Sequence, residues 1–207
     1  MSNHPDSGSE LEALRQAIAS GDPSRSMPAL ASLRELPVDQ AVPLLMLGLQ
    51  QSAFMVRSLR CAGLGVKQSE AGWTALEEAL NHDSDPNVRA EAANALVCHG
   101  LERAWPLVLE AFRRDTQWLL RCSVLAAVAE HPGARPVLLL ELARLAIADA
   151  DGTVRVGGAE ILGQLVQAAD TLGDEHWVAG EARRSLQALQ KDSDHRVVAA
   201  VLNGLQG

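Results

Sequence analysis

The chain has 207 residues, of which 47% are hydrophobic and only 3% aromatic, with no tyrosine. Its runs of alanine and leucine, which lose little side-chain entropy in a helix, predict an all-α protein. The net charge of -8 argues against a nucleic-acid groove, which needs clustered basic residues, and no run of about 20 apolar residues predicts a membrane span.

The predicted elements follow a polar N-terminal stretch, residues 1–9, which we expect to be disordered and which lacks the regions of a signal peptide. Helix-starting chemistry then recurs along residues 10–207, which are predicted to form a single repeat domain. An aspartate with an N-cap acceptor starts four of the predicted helices, and in two cases a proline follows in the first turn. These aspartates are Asp22, Asp85, Asp151 and Asp194.

The chain is internally repetitive. Five segments align without gaps, and a sixth, weaker copy runs from Asp22 to Leu33. The five are AFMVRSLRCAGLG, DPNVRAEAANALV, QWLLRCSVLAAVA, DGTVRVGGAEILG and DHRVVAAVLNGLQ, starting at Ala53, Asp85, Gln117, Asp151 and Asp194. Their starts are 32, 32, 34 and 43 residues apart. Such a period is typical of helical hairpins that stack because none can bury its apolar face alone.

Between the copies lie five predicted partner helices with apolar residues at helical spacing. They cover Val38–Gln50, Ser69–Asn81, Glu102–Arg113, Arg135–Ala148 and Glu175–Lys191. Pro43 and Pro106 fall inside two of them and predict a bend or a late start, because proline lacks a backbone donor. An insertion near residues 168–176 accounts for the longest spacing. The fold is therefore predicted to be an α-solenoid, a right-handed superhelix of about six hairpins, with the aligned copies forming an inner, partner-binding surface.

The pattern D-x-x-V-R-x-x-A-A-x-x-L from Asp85 to Leu96 resembles the HEAT-like repeats of the phycobilin lyase family of cyanobacteria. This family includes the E/F-type lyases and the NblB-type phycobilisome degradation proteins. The segment RDTQWLLRCSV, from Arg114 to Val124, is similar to the fourth repeat of the NblB-type proteins. The resemblance extends over residues 38–205.

The resemblance implies a photosynthesis-related protein with HEAT-like hairpins that binds phycobiliprotein subunits and open-chain tetrapyrroles (bilins). Members attach, isomerise or detach bilins or assist phycobilisome turnover, and E/F lyases act together with a second lyase-like chain. Whether this chain makes or breaks any bond stays open, and no cofactor is required. The alternative function is a protein–protein scaffold or assembly factor without pigment.

Four arginines occupy one aligned position in the copies: Arg57, Arg89, Arg121 and Arg155. One interpretation is a cationic ladder on the inner helices that grips carboxylates, such as bilin propionates, through bidentate bonds. The other is a structural ladder in which each guanidinium bonds an aspartate or a carbonyl of an adjacent turn.

Trp118 and Cys122 lie beside Arg121 and complete the candidate binding residues. An indole next to a cation suits a stacked tetrapyrrole or a protein anchor, and the alternative is a tryptophan that fills a gap between repeats. Cys122 is either a transient bilin acceptor, with a pKa lowered by Arg121, or a small core residue. We expect the remaining tryptophans, Trp73, Trp105 and Trp177, to serve packing.

The other polar residues show no pattern of a metal or catalytic site. The histidines lack a recurring two-ligand spacing, so no metal is predicted. The three cysteines, Cys61, Cys98 and Cys122, lack CxxC spacing, and we interpret them as reduced, buried thiols of a cytoplasmic protein.

Overall fold

The computed structural model describes residues 7–47 and 51–206, and within these ranges the chain forms twelve α-helices, three short 3-10 helices and no strand. The α-helices are α1 (Ser7–Ala19), α2 (Pro23–Ser32), α3 (Val38–Met46), α4 (Phe54–Val66), α5 (Glu70–His82), α6 (Pro86–His99), α7 (Leu101–Arg114), α8 (Trp118–Ala129), α9 (Pro136–Ala146), α10 (Gly152–Gln167), α11 (Trp177–Ala188) and α12 (His195–Leu205). They form six consecutive hairpins, so the predicted all-α, α-solenoid fold class is confirmed.

The contacts divide the chain into two compact units, residues 1–104 (unit 1) and residues 105–207 (unit 2). In unit 1 the second helices of the hairpins, α2, α4 and α6, pack side by side, and α3 and α5 pack beside them in a first-helix layer. In unit 2 the second-helix layer is α8, α10 and α12, and the first-helix layer includes α9 and α11. The single domain predicted for residues 10–207 stays a prediction.

The six aligned copies correspond to the second helices of the hairpins, which are α2, α4, α6, α8, α10 and α12. Their shared apolar position is at most 1% exposed in every one of the five stronger copies. These residues are Val56, Val88, Leu120, Val154 and Val197. Small residues of the copies allow close approach of neighbouring helices: a Cβ atom on Gly163 of α10 would lie only 2.9 Å from the Cα of Gly204 in α12.

Several element boundaries differ from the predictions. Helices α3 and α7 begin upstream of Pro43 and Pro106 and continue through them, so neither proline delays its helix. Each proline lies in the sixth position of its helix, where only one backbone hydrogen bond is lost. Ser7–Ser9 belong to α1 rather than to a disordered stretch, whereas residues 1–6, and the end of the helix predicted to reach Gln50, lie outside the described residues.

Candidate functional site

The aligned arginines Arg57, Arg121 and Arg155 each form an ion pair with an aspartate of the next hairpin. Arg57 binds Asp83 through two hydrogen bonds, Nε to Oδ2 at 2.7 Å and Nη2 to Oδ1 at 2.9 Å. Arg155 binds Asp192 in the same way, at 2.9 and 3.0 Å. In the Arg121–Asp149 pair, Nε lies 2.6 Å from Oδ2 and Nη2 donates to Oδ1 at 3.0 Å. The side chains of all three pairs are only 10–15% exposed.

The remaining guanidinium nitrogen of each arginine, Nη1, donates hydrogen bonds to backbone carbonyls of the loop that precedes its own helix. Nη1 of Arg57 donates to the carbonyls of Gln51 and Ser52, both at 2.9 Å. Nη1 of Arg155 bonds the carbonyls five and six residues upstream, at 2.9 and 3.0 Å, and Nη1 of Arg121 bonds the one six residues upstream at 2.7 Å. Arg89 makes the same bonds, to the Asp83 and Ser84 carbonyls at 2.9 and 3.2 Å. All four arginines thus hydrogen-bond to other groups of the protein.

The partner aspartates belong to a D-x-D motif that sequence reasoning missed. The first aspartate of each motif binds the arginine and also accepts the N–H of the second, as Asp83 does from Asp85 at 2.9 Å. The second aspartate caps the following helix, as Asp85 does by accepting the N–H of Asn87 at 2.8 Å. The motif recurs as Asp149–Asp151 and Asp192–Asp194. Its signal in the sequence is an aspartate two positions before three of the N-cap aspartates, Asp85, Asp151 and Asp194.

The pKa values reflect these bonds. The Arg155 hydrogen bonds and the backbone N–H of Asp194 hold the pKa of Asp192 below its usual value. Burial raises the pKa of Asp83, but the hydrogen bonds from Arg57 and from the Asp85 backbone outweigh it, so the net shift is downward. These carboxylates are ionised at neutral pH. The geometry therefore matches the structural interpretation of the arginines, and an external carboxylate would have to displace an aspartate to reach them.

A groove lies between α8 and α10 of unit 2, with a volume of about 340 Å³. We call it the unit 2 groove. Its apolar floor and walls include Leu125, Ala126, Val156, Gly157 and Ile161. Its charged lining residues are both acidic, Glu130 and Glu160, and within the described part of unit 2 neither is in an ion pair.

Two of the predicted site residues belong to this region of α8. Cys122 lines the unit 2 groove. Trp118 lies four residues earlier, on the same face of the helix one turn away, and 47% of its surface is exposed. It is therefore not a tryptophan that fills a gap between repeats. The arrangement offers an apolar groove with an exposed indole beyond one end.

The cysteines differ in environment. Burial, together with the charges of Asp151 and Asp149, raises the pKa of the Cys122 thiol, and the opposing effect of Arg121 is smaller. The expected lowering by Arg121 is thus not the net result, and the thiolate form is disfavoured at neutral pH. Cys61 is buried, as predicted, and burial raises its pKa to about 12. Cys98 is exposed, contrary to the prediction, because it faces away from the core near the C-terminal end of α6.

The other three tryptophans differ in how exposed they are. Trp73 is buried, with the Arg103 guanidinium carbon 3.8 Å from its ring centroid and His99 packed edge-on at 5.8 Å between ring centroids, so its packing role is confirmed. Trp105 is partly buried. Trp177 is 48% exposed, which contradicts the packing expectation; it is the first residue of α11, directly after the insertion, where few neighbours can cover it.

Arg60 of α4 is a buried cation that the sequence analysis did not single out. It is 1% exposed, its Nε donates to the Leu45 carbonyl at the end of α3, and its Nη2 has no hydrogen-bond partner among the described residues. Burial lowers its pKa to about 10. The signal was available in the alignment, because the same position is apolar or small in the other copies. Those residues are Ala29, Ala92, Val124, Gly158 and Val201.

No three His, Cys, Asp or Glu side chains come together as a metal site among the described residues. Within the same ranges, no helix is long and apolar enough to cross a membrane.

Comparison with known families gives one match. Residues 42–129 match a model of HEAT repeats, a segment that contains α4 to α8 and the second half of α3. No curated protein matches the chain. The matched segment and the hairpin architecture support a HEAT-repeat protein, a class that commonly presents extended surfaces to protein partners.

Proposed function

We propose that this chain is a protein-binding scaffold that holds a partner in the unit 2 groove, next to Trp118. The observation that carries the proposal is the exposed indole of Trp118 on the helix face that continues into an apolar groove. Tryptophans of this kind dominate the binding energy of many interfaces, because they bury a large apolar area with few rotatable bonds.

The chemistry of the groove favours binding over catalysis. The thiol of Cys122 has a raised pKa, so it is a poor nucleophile at neutral pH. The neighbouring guanidinium groups of Arg121 and Arg155 are engaged by aspartates and carbonyls and are not placed to polarise a substrate. What remains accessible is apolar surface with two carboxylates.

Site-specific photo-crosslinking tests the proposal. A photo-reactive amino acid at Ala126, an exposed residue of the groove, should capture a distinct partner in cells of the source organism, whereas the same amino acid at exposed Gln187 of α11 should not. Trp118→Ala should reduce the yield of that adduct at least about tenfold, since loss of a central tryptophan costs about 2 kcal/mol or more. The same proteins captured from both positions, or an adduct indifferent to Trp118→Ala, would contradict the proposal.

A second candidate function is the handling of a bilin or a phycobiliprotein subunit, as the resemblance to the phycobilin lyase family implies. The half-exposed Trp118 beside Cys122 supports it, because a flat indole can stack on a tetrapyrrole. The aligned arginines Arg57, Arg89, Arg121 and Arg155 do not add to this support, because aspartates or carbonyl groups of this chain bind them. A partner lyase-like chain and phycobiliprotein subunits belong to the same hypothesis.

Visible absorbance separates the two candidates. Titration of the purified chain with phycocyanobilin should give a saturable spectral change that Trp118→Ala abolishes and Cys122→Ser preserves if binding is non-covalent. Loss of a stable adduct in Cys122→Ser would instead indicate attachment to the thiol. If wild type gave no spectral change, either alone or with a phycobiliprotein subunit, the bilin-binding candidate would be excluded. The pigment-free scaffold would then remain as the proposed function.

A further inference from the structure

We propose that unit 1 carries a second, independent docking site, a groove between α2 and α4 that binds an acidic amphipathic segment of a partner protein. We call it the unit 1 groove; its volume is about 380 Å³. It does not depend on the unit 2 groove or on Trp118, so either proposal can fail without the other.

The floor and walls of the unit 1 groove are apolar. Leu30 and Leu33 line it from the α2 side, and Leu59 and Val66 line it from α4. Val66 is 65% exposed, the largest exposed fraction among the exposed large hydrophobic residues of the described chain. Isolated exposed apolar residues are ordinary, but an exposed valine at the edge of an apolar groove enlarges the surface that a partner can cover.

The groove occupies the same place in its unit as the unit 2 groove does in the other. In the aligned copies Ala31 of α2 corresponds to Ala126 of α8, and Ala62 of α4 corresponds to Glu160 of α10; each of the four lines the groove of its own unit. Gly63 lets α4 pack closely against Leu45 of α3, because a Cβ at this position would lie 2.5 Å from Cδ2 of Leu45. The space between successive second helices is thus a recurring docking position.

The charge of the unit 1 groove favours a partner segment with negatively charged side chains. Its charged lining residues are Arg34 and Lys67, and among the described residues no carboxylate lines it. Nζ of Lys67 donates to the carbonyls of Arg34 and Leu36, at 2.8 and 2.6 Å, which fixes the ammonium group at the groove edge without neutralising its charge. Complementarity then favours a segment that carries Asp or Glu next to its apolar residues.

The shape favours a helical segment rather than an enclosed small molecule. The groove lies between two helices, a geometry in which an amphipathic helix can insert apolar side chains at i, i+3, i+4 and i+7. Carboxylates that flank such a stripe at the end near Arg34 and Lys67 meet both cations. An acidic helix from a partner protein therefore satisfies the apolar and the charged parts of the site together.

Fluorescence anisotropy on the full chain tests this assignment. Two labelled helical peptides share one leucine stripe and carry either glutamates or lysines at the flanking positions. The glutamate peptide should bind at least about tenfold tighter, and its affinity should fall about tenfold in Arg34→Glu or Val66→Glu. Both substituted side chains are exposed, so the helices should remain intact, which circular dichroism checks.

Arg183→Glu supplies the matched control, because it makes the same charge change at an exposed position of α11 in unit 2. The proposal stands if this variant binds the glutamate peptide like wild type while Arg34→Glu does not. Equal affinity for both peptides, or equal losses in Arg34→Glu and Arg183→Glu, would show only a general charge effect and overturn it. A photo-crosslink from the glutamate peptide to unit 2 alone would overturn it as well.

Discussion

Arg60 shows what a single buried charge means for this protein. Its guanidinium is nearly inaccessible, and one of its terminal nitrogens has no hydrogen-bond partner in the part of the chain that the structure describes. A buried cation without a paired anion costs free energy, because water solvates the charge better than the protein does. The bond from its Nε to the Leu45 carbonyl offsets part of this cost by satisfying a carbonyl at the end of α3.

We expect Arg60→Met to raise the free energy of unfolding by about 1–2 kcal/mol, because the replacement fills similar volume without a charge. Arg60→Ala should be about 2 kcal/mol less stable than Arg60→Met, since it leaves a cavity. Urea denaturation at pH 7 measures both. If Arg60→Met were strongly destabilised instead, the guanidinium would have to be a net stabilising group.

The advantage of Arg60→Met over wild type should depend on pH. The pKa of Arg60 is lowered to about 10 in the folded state, well below its ordinary value in the unfolded chain, so the cost of the buried charge is present in full below pH 10. Between these values the folded protein loses its proton while the unfolded chain keeps it, which stabilises wild type. The difference in unfolding free energy between the two proteins should therefore shrink from pH 9 to pH 11, and a constant difference would contradict this origin.

At the scale of elements, the D-x-D motif links successive hairpins. One aspartate pairs with the arginine of the preceding hairpin and the other caps the next helix, so a three-residue segment fixes two helices. The pairs are mostly shielded from water, unlike the Arg103–Glu70 pair, whose side chains are 48% and 82% exposed. Shielded pairs cost more to break, because the remaining charge has less access to solvent.

Asp192→Asn should lower the free energy of unfolding by about 1–3 kcal/mol, since it removes the charge opposite Arg155. Glu70→Gln is the matched control at an exposed pair and should change stability by less than about 0.5 kcal/mol. Urea denaturation at pH 7 compares the two. Equal effects would mean that burial of the Arg155–Asp192 ion pair does not change its contribution to the free energy of unfolding.

Acid should remove the contribution of these aspartates. Their pKa values are lowered on folding, to about 2 for Asp194, where the Arg196 side chain and backbone N–H bind its carboxylate. A lowered folded pKa gives stability that is present above the unfolded value of about 3.8 and is lost as pH falls below it. The gap between wild type and Asp192→Asn should therefore narrow from pH 4 to pH 2, as followed by thermal unfolding at each pH.

The sequence predicts the helices well because their signals are periodic. The recurring Val56, Val88 and Leu120 repeat in register and are all buried, and the N-cap aspartates mark where helices start. The ion pairs were left as one of two interpretations, since Asp83 is 26 residues from Arg57 and no local pattern connects them. The two grooves could not be predicted, because their shape depends on how the side chains of neighbouring helices pack in three dimensions.

At the scale of the whole molecule, each unit is organised as repeats whose helices contact their neighbours. Stability in such proteins is approximately a sum of hairpin and interface contributions. Leu64 in unit 1 and Leu162 in unit 2 occupy the same aligned position, and both are buried. They therefore allow the same defect to be placed in either unit.

Leu162→Ala should accelerate amide hydrogen exchange in α10 and in the helices packed on it, α9, α11 and α12, far more than in α2 to α4. The reason is that truncation of a buried leucine costs about 2–5 kcal/mol locally, and unit-by-unit opening confines the loss. Leu64→Ala should give the reverse pattern. Uniform acceleration along the chain in both variants would instead indicate a single cooperative unit.

The bond between Arg155 and Asp192 has a consequence for how such chains vary in length. The 37 residues that separate this pair exceed the 26 between Arg57 and Asp83, yet the bond lengths agree within 0.2 Å. The extra residues include the two 3-10 turns at 169–171 and 173–175, which do not include either residue of the ion pair. Evolution, or a protein engineer, can therefore lengthen this connector or graft a foreign module into it without altering how the next hairpin docks.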